Sequence, residues 1–137
     1  MHEWALAESI IVTVIKESEK EKLSKVLKVT VKIGELQSIE LDIFKFALEN
    51  MVELYKSPVD LENIHLEIDR CILKCKVCSN SWNYSDIPKK LEEDEKEAIH
   101  FVPEVAHTYM RCTQCGSPDF EILQGRGVWI DSIEGEK

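Results

Sequence analysis

The chain has 137 residues, of which 44% are hydrophobic and 31% charged, so it can form one compact domain or a domain with a small appendage. Its 26 acidic residues outnumber its 17 basic residues and give a net charge of −9. This balance argues against a partner that is recognised through its phosphate backbone, and we expect no nucleic-acid partner.

The N-terminal segment predicts a helix followed by a strand. Apolar residues recur at helical spacing in residues 4–15 and give way to polar residues in 16–22, which is typical of an amphipathic helix of about four turns. Apolar and polar residues then alternate in 29–33, which predicts a half-buried strand that ends at Gly34.

A second helix and a second strand are predicted next. Ser38 is a candidate N-cap, and Pro58 closes the helical segment. Residues 64–68 alternate again and predict a strand. The predicted core stripe of this helix consists of Ile43, Phe44, Ala47, Leu48 and Met51.

Alternation resumes in residues 120–123 and 128–133, so the intervening segment interrupts the pattern. We predict an α+β fold, in which a small mixed sheet carries two helices and the last strands return to complete that sheet. Residues 1–70 and 120–137 would form one discontinuous α/β domain, and 71–119 an inserted zinc-ribbon-like module. A short charged helix is expected at about 89–102, between two prolines, with one face formed by Leu91, Glu95, Ala98 and Val102.

Two Cys-x-x-Cys motifs, which we call knuckles, lie in the inserted segment. The first is Cys75-Lys-Val-Cys78 and the second is Cys112-Thr-Gln-Cys115. Zinc takes four thiolates tetrahedrally, and this spacing lets both sulfurs of a knuckle face one ion. Although the 33 residues between the knuckles exceed the usual ribbon spacing, the predicted helix accounts for the excess. A redox role would require a βαβ setting that the sequence does not predict.

The chain has five cysteines, and an odd number excludes a complete disulfide framework. No secretory signal and no apolar run long enough to cross a membrane is visible, so we expect a reducing, cytoplasmic location and no membrane partner. The fifth cysteine, Cys71, is either an exchangeable metal ligand or a small buried hydrophobe, and its place on a strand favours the second.

The N-terminus offers a nitrogen-rich site of a different kind. The α-amine of Met1 and the imidazole of His2, with the amide between them, can close fused chelate rings around one ion. Such a planar set of nitrogens suits Ni(II) or Cu(II) better than zinc. On this signal alone, an ordinary surface histidine remains the simpler interpretation of His2.

These features occur together in a specific order. Met1-His2-Glu3 runs into a helix, Gly34-Glu35-Leu36 follows a strand, and two knuckles precede glycine-containing return strands. In this combination the chain resembles the HypA/HybF family, the nickel metallochaperones of [NiFe]-hydrogenase maturation. Its long segment between the knuckles is similar to that of archaeal members.

The resemblance implies nickel at His2 with Glu3 beside it, and zinc at the four knuckle cysteines. It also implies two partners, a P-loop nucleotidase of the maturation pathway and the hydrogenase large subunit that receives the nickel. His100, at the end of the inserted helix, either supplies a further nickel nitrogen or is a solvated helix-end residue, and the same two alternatives apply to His107. A homodimer is left open. His65 is expected to be solvated.

Two other functions are compatible with part of this pattern. A zinc-ribbon adaptor that binds protein or nucleic acid is compatible with the knuckles, but residues 71–116 carry six basic and seven acidic residues rather than a basic excess. A zinc hydrolase using His100 or His107 would need an open coordination position, whereas four cysteines fill the sphere. We therefore expect a protein that is not an enzyme.

Overall fold

Two three-stranded sheets organise the structure, a computed structural model that describes residues 3–86 and 91–137 but not the side chains of His100 and Pro103. The helices are α1 (Glu3–Lys20), α2 (Leu41–Leu54), α3 (Glu93–Phe101) and α4 (Ala106–Tyr109). The strands are β1 (Lys25–Gly34), β2 (Ile64–Asp69), β3 (Ile72–Cys75), β4 (Ser81–Asn83), β5 (Phe120–Gln124) and β6 (Val128–Glu136). The predicted α+β class is confirmed.

The chain divides into two compact units. Unit 1 comprises Met1–Lys32, Ile39–Glu67 and Val128–Lys137, and unit 2 comprises Ile33–Ser38 and Ile68–Gly127. None of the described helices is long and apolar enough to cross a membrane.

Unit 1 consists of α1 and α2 packed together with a sheet of order β2-β1-β6. Near one end of the β1–β6 pair, the N–H of Ser24 donates to the carbonyl of Glu136. At the opposite end, the N–H of Gly34 donates to the carbonyl of Gly127. The two strands are therefore antiparallel. The unit's core includes fully buried apolar side chains of both helices, of which the larger ones contribute about 1.5–3 kcal/mol each: Ala7, Ile11, Val14, Phe44, Ala47 and Leu48.

The second helix begins later than predicted. Its N-cap is Glu40, whereas Ser38 has φ 49° and closes the short 3-10 turn Glu35–Gln37. The predicted cap was wrong because an N-cap residue is extended, and a left-handed Ser38 cannot place its hydroxyl over the first turn. The core stripe is confirmed in its centre only: Ile43 is 40% exposed and Met51 is half-buried.

Unit 2 contains the second sheet, of order β4-β3-β5, with both neighbours antiparallel to β3. In this register Leu73 lies opposite Trp82 on β4 and Ile122 on β5. A buried cluster joins the sheet to the helical insertion; it consists of Leu36, Cys71, Leu73, Cys75, Trp82, Leu91, Ile99, Ala106, Met110, Cys112 and Phe120.

One of the two return strands differs from the prediction. Only β6 joins the first sheet, while β5 pairs with β3. Its first residue, Phe120, lies opposite Cys75 and is buried against Trp82, so β5 is part of the core of unit 2. Alternation alone predicts a strand but does not identify its neighbour. The assignment of residues 1–70 and 120–137 to a nickel-binding domain stays a prediction.

The inserted helix is present as α3, which is shorter than the predicted span of about 89–102. Glu92 and Glu95 form a reciprocal capping box at its start, in which the Glu92 N–H donates to Glu95 Oε1 at 2.9 Å. Ile99 is fully buried, whereas Val102 is 49% exposed. The larger side chain of Ile99 enters the core of unit 2, and Leu91 is buried just before the helix.

Candidate metal centre

The four knuckle cysteines come together in unit 2, with their sulfurs all within 4.8 Å of one another. All are free thiols, and two sulfur pairs, Cys75–Cys115 and Cys78–Cys112, are separated by 3.5 Å. A tetrahedral ion with metal–sulfur bonds of about 2.3 Å separates its sulfurs by about 3.8 Å. The arrangement therefore fits a four-coordinate, sulfur-bound metal ion, as the spacing predicted.

The first knuckle is a tight turn built from backbone hydrogen bonds. The N–H groups of Val77 and Cys78 point at Cys75 Sγ, at 3.3 and 3.5 Å. The Ser79 N–H donates to the Cys75 carbonyl, and the Cys75 N–H donates to the carbonyl of Asn80. The first sulfur of the turn is thus a hydrogen-bond acceptor.

The second knuckle repeats this pattern at the same offsets. The N–H groups of Gln114 and Cys115 each lie 3.4 Å from Cys112 Sγ. The Gly116 N–H donates to the Cys112 carbonyl, and the Cys112 N–H donates to the carbonyl of Ser117. Each knuckle therefore presents its pair of sulfurs in the same way.

Both turns require a left-handed residue directly after the second cysteine. Gly116 has φ 76°, a conformation that glycine adopts without strain. Ser79 has φ 63° at the equivalent position of the first knuckle, where a side chain costs about 1–2 kcal/mol. The sequence does not signal this conformation at Ser79, because serine is not specific to left-handed turns.

Sequence reasoning missed the contribution of Asn80. Its side-chain amide lies 3.7 Å from Cys112 Sγ and donates to Thr113 Oγ1 at 3.0 Å, so it links the first knuckle to the second. The only available signal was a polar amide side chain two residues after a knuckle. Residues of this kind orient metal ligands and tune their basicity.

The sulfurs differ in how readily they ionise. Desolvation opposes ionisation of Cys112, but the surrounding N–H donors outweigh it and lower the pKa of Cys112 to about 6. For Cys115, a backbone hydrogen bond from Ser117 favours the thiolate, but desolvation and the neighbouring thiols raise its pKa to about 12. The pKa of Cys78 is also raised, since desolvation and its thiol neighbours outweigh a backbone bond from Asn80. A divalent cation at the centre would allow all four sulfurs to be thiolates.

The fifth cysteine is not part of this cluster. Cys71 is fully buried in the core of unit 2, and its N–H donates to Glu35 Oε1 at 2.9 Å. Burial, followed by the charges of Glu35 and Asp69, raises the pKa of Cys71 to about 12. These observations support its interpretation as a small hydrophobe.

The surroundings of His107 and His65 are explained without a metal ion. The His107 ring stacks on Phe120 with centroids 4.2 Å apart, and its Nδ1 lies 3.0 Å from the carbonyl of Pro118, to which an Nδ1–H donates. His65 is exposed on β2, as expected. His100 belongs to α3, but its side chain lies outside the described part, so its proposed ligand role stays a prediction.

The predicted nickel site falls largely outside the described residues, which exclude Met1 and His2. Glu3 is described: it is the first residue of α1 and is only 3% exposed. Its Oε2 is buried and has no hydrogen-bond partner among the described residues.

Comparisons with known proteins agree along the whole chain. The family model "Hydrogenase/urease nickel incorporation, metallochaperone, hypA" matches residues 1–135. Proteins named hydrogenase maturation factor HypA from Pyrococcus horikoshii and Pyrococcus furiosus are each 44% identical over 138 residues, which cover 100% of this chain and 97% of theirs. The HypA of Thermococcus gammatolerans is 41% identical over 137 residues with the same coverage.

Solved structures show the same relationship. The solution structure of the Ni metallochaperone HypA from Helicobacter pylori matches with a TM-score of 0.59 and 25% identity, covering 99% of this chain and 98% of that one. These matches confirm the resemblance inferred from the motifs. The chain therefore belongs to the HypA family, a family of nickel metallochaperones for hydrogenase maturation and not of enzymes.

Proposed function

We propose that this chain carries Ni(II) at its N-terminus and delivers it to the large subunit of a [NiFe]-hydrogenase, while the four-cysteine site holds a structural zinc ion. A hydrogenase maturation role implies contact with maturation partners. The proposal names two of them, a P-loop nucleotidase and the hydrogenase large subunit.

The buried carboxylate of Glu3 is the observation that carries the nickel site. An unpartnered buried carboxylate oxygen is costly, and a neighbouring cation would offset this cost. Glu3 directly follows the Met1 amine and the His2 imidazole, and nitrogen donors with one oxygen suit Ni(II). Glu3 also begins α1, where exposed N–H groups favour a negative charge.

The donor sets support different roles for the two sites. Four thiolates with N–H donors around them form a closed site of the kind that holds structural zinc. An amine, an imidazole and a carboxylate form a harder, more open site with fewer ligands. We assign the cargo to the second site because a carrier must release its ion, whereas a structural ion is retained.

Proton competition would assist release. The α-amine titrates near 7.7–8.0, so it is mostly protonated at neutral pH and must lose a proton to bind a metal. Nickel binding at this site would therefore release protons and weaken as the pH falls.

Nickel titration of the zinc-loaded protein tests the proposal. The native chain is compared with His2→Ala and with a variant that has two residues added before Met1. We expect both changes to abolish tight Ni(II) binding while the zinc content stays at one ion per chain. Tight nickel binding by either variant would contradict the proposal.

Two further variants assign the remaining ligands. Glu3→Gln should weaken nickel binding by about tenfold or more, whereas the exposed Glu19→Gln on the same helix serves as a matched control and should not. His100→Ala should alter the absorption spectrum of the nickel complex if His100 is a ligand. Delivery itself is measured as nickel transfer from the loaded chain to purified, metal-free large subunit, with the N-terminally extended variant as control.

A further inference from the structure

A groove of about 610 Å³ runs between α1 and β6 within unit 1, a volume in the range of ligand-binding clefts. One wall comes from Thr13 and Glu17, which lie four residues apart on one face of α1, and from Glu21 just beyond the end of that helix. The floor comes from consecutive residues of β6: Ile130, Asp131, Ser132 and Ile133. Successive strand residues point to opposite faces, so a groove lined by all four follows the edge of the strand.

This edge of β6 carries no strand within the part of the chain that the structure describes. The sheet order is β2-β1-β6, so β6 pairs with β1 on one side only. With nine residues, β6 is long for an edge strand, and its unpaired N–H and C=O groups form a template for a further strand.

The groove is acidic around a partly apolar floor. Its charged lining consists of three carboxylates, Glu17, Glu21 and Asp131, and one lysine, Lys137, and the carboxylates form no ion pair among the described residues. Ile130 and Ile133 on the floor are half-buried. A basic side chain would therefore meet unneutralised carboxylates, and an apolar one would meet the isoleucines.

We propose that β6 accepts an extended, lysine- or arginine-rich segment of a partner protein as a fourth strand of the sheet. Main-chain hydrogen bonds to the free edge would supply affinity, and alternating basic and apolar side chains would fit the carboxylates and the isoleucines. This inference concerns protein docking and does not depend on nickel binding.

Charge argues for a basic partner rather than a second copy of this chain. A β6–β6 pair would bring together two strands that each carry three acidic residues, Asp131, Glu134 and Glu136. Like charges opposite each other on neighbouring strands are destabilising.

A synthetic ten-residue peptide of alternating lysine and valine is the probe, added to the full-length, zinc-loaded protein. We expect NMR amide shifts and slowed hydrogen exchange at Ile130–Gly135, with a dissociation constant that rises with salt concentration. Two control peptides should not bind: one with glutamate in place of lysine, and one with methylated backbone amides, which cannot extend the sheet. Equal binding of the methylated peptide would overturn the proposal.

Variants that remove charges test whether the peptide binds in this groove. The triple variant Glu17→Gln, Glu21→Gln, Asp131→Asn should weaken binding of the peptide about tenfold. The matched variant Asp42→Asn, Glu49→Gln, Glu62→Gln removes three exposed charges elsewhere in unit 1 and should bind as the native chain does. Equal weakening in both variants would reduce the interaction to net charge and overturn the proposal. A dimer in sedimentation that protects the β6 amides would assign the edge to a second copy instead.

Discussion

Cys112 is the sulfur on which hydrogen bonds from both knuckles converge. It accepts bonds from the backbone N–H groups of Gln114 and Cys115 within its own turn, and from the Asn80 side chain in the other. Since a thiolate is a stronger acceptor than a thiol, these donors favour the ionised form. The same four-cysteine cluster thus contains one readily ionised sulfur and others that resist ionisation.

We predict that Cys112 is the first thiol to ionise in the metal-free protein, with a midpoint near its pKa of about 6. Thiolate absorbance at 240 nm measures this step, which Cys112→Ser should remove and Asn80→Ala should shift to higher pH. Because the folded pKa lies below the unfolded value, ionised Cys112 stabilises the metal-free fold fully at pH above about 8.5, and this stabilisation is lost as the pH falls through about 6.

Cys71 provides the control for this titration, because its pKa is raised to about 12. Cys71→Ser should leave the first ionisation step unchanged. A first step above pH 8 in the native chain would contradict the prediction.

For individual residues, the sequence predicts those features of the site that depend only on the spacing of neighbouring residues. The four knuckle sulfurs lie together, as their spacing predicts, because a Cys-x-x-Cys turn directs both of its sulfurs to one side. The role of Asn80 could not be predicted, since its partner Cys112 is 32 residues away and the two meet only after the insertion folds. Ser38 was wrongly predicted as a cap because left-handed conformation is set by the preceding turn rather than by serine itself.

Among the elements, the connections at the base of β3 and β5 are the most constrained. The Leu36 N–H donates to the Gly125 carbonyl at 2.9 Å, and the Gly125 N–H donates to Asp69 Oδ2 at 2.9 Å. A Cβ on Gly125 would lie 2.3 Å from the Cα of Cys71. The connections therefore approach so closely that no side chain fits at Gly125.

We predict that Gly125→Ala destabilises the protein by more than about 3 kcal/mol, because the alanine would combine a left-handed backbone with a clash against main-chain atoms. Gly127→Ala is the matched control: Gly127 has the same φ of 88° but open space around its Cβ position. It should cost only about 1–2 kcal/mol. Urea unfolding of both variants measures the difference, and equal losses would show that the close approach to Cys71 is unimportant.

The helices and strands themselves could be predicted from the sequence, but the elements that each one pairs with or packs against could not. Periodicity predicted α1, β1, β2 and the inserted helix because each pattern reports a local alternation of burial. The pairing of β5 with β3, and the burial of Ile99 rather than Val102, depend on contacts between segments distant in sequence. Such contacts are decided by tertiary packing and leave no local signal.

For the molecule as a whole, the two units have separate cores, and the groups that form those cores differ in kind. Within the described residues, the core of unit 1 is formed mainly by apolar side chains of helices and sheet. Cys75 and Cys112, two of the four knuckle sulfurs, belong to the buried cluster of unit 2. Cys78 and Cys115 resist ionisation without a cation, so we expect a bound ion to contribute to the core of unit 2.

We therefore predict that removal of the metal with a chelator destabilises unit 2 selectively. Structural zinc contributes about 10–16 kcal/mol in small peptides, and the apolar cluster of unit 2 should retain part of the fold without it. Amide hydrogen exchange should accelerate on the order of a hundredfold at Leu73 and Phe120, and by less than about tenfold at Val29 and Leu48 in unit 1. Re-addition of zinc should restore protection, and the chelator should have no further effect on Cys112→Ser. Equal acceleration in both units would show that the ion stabilises the whole chain as one cooperative body.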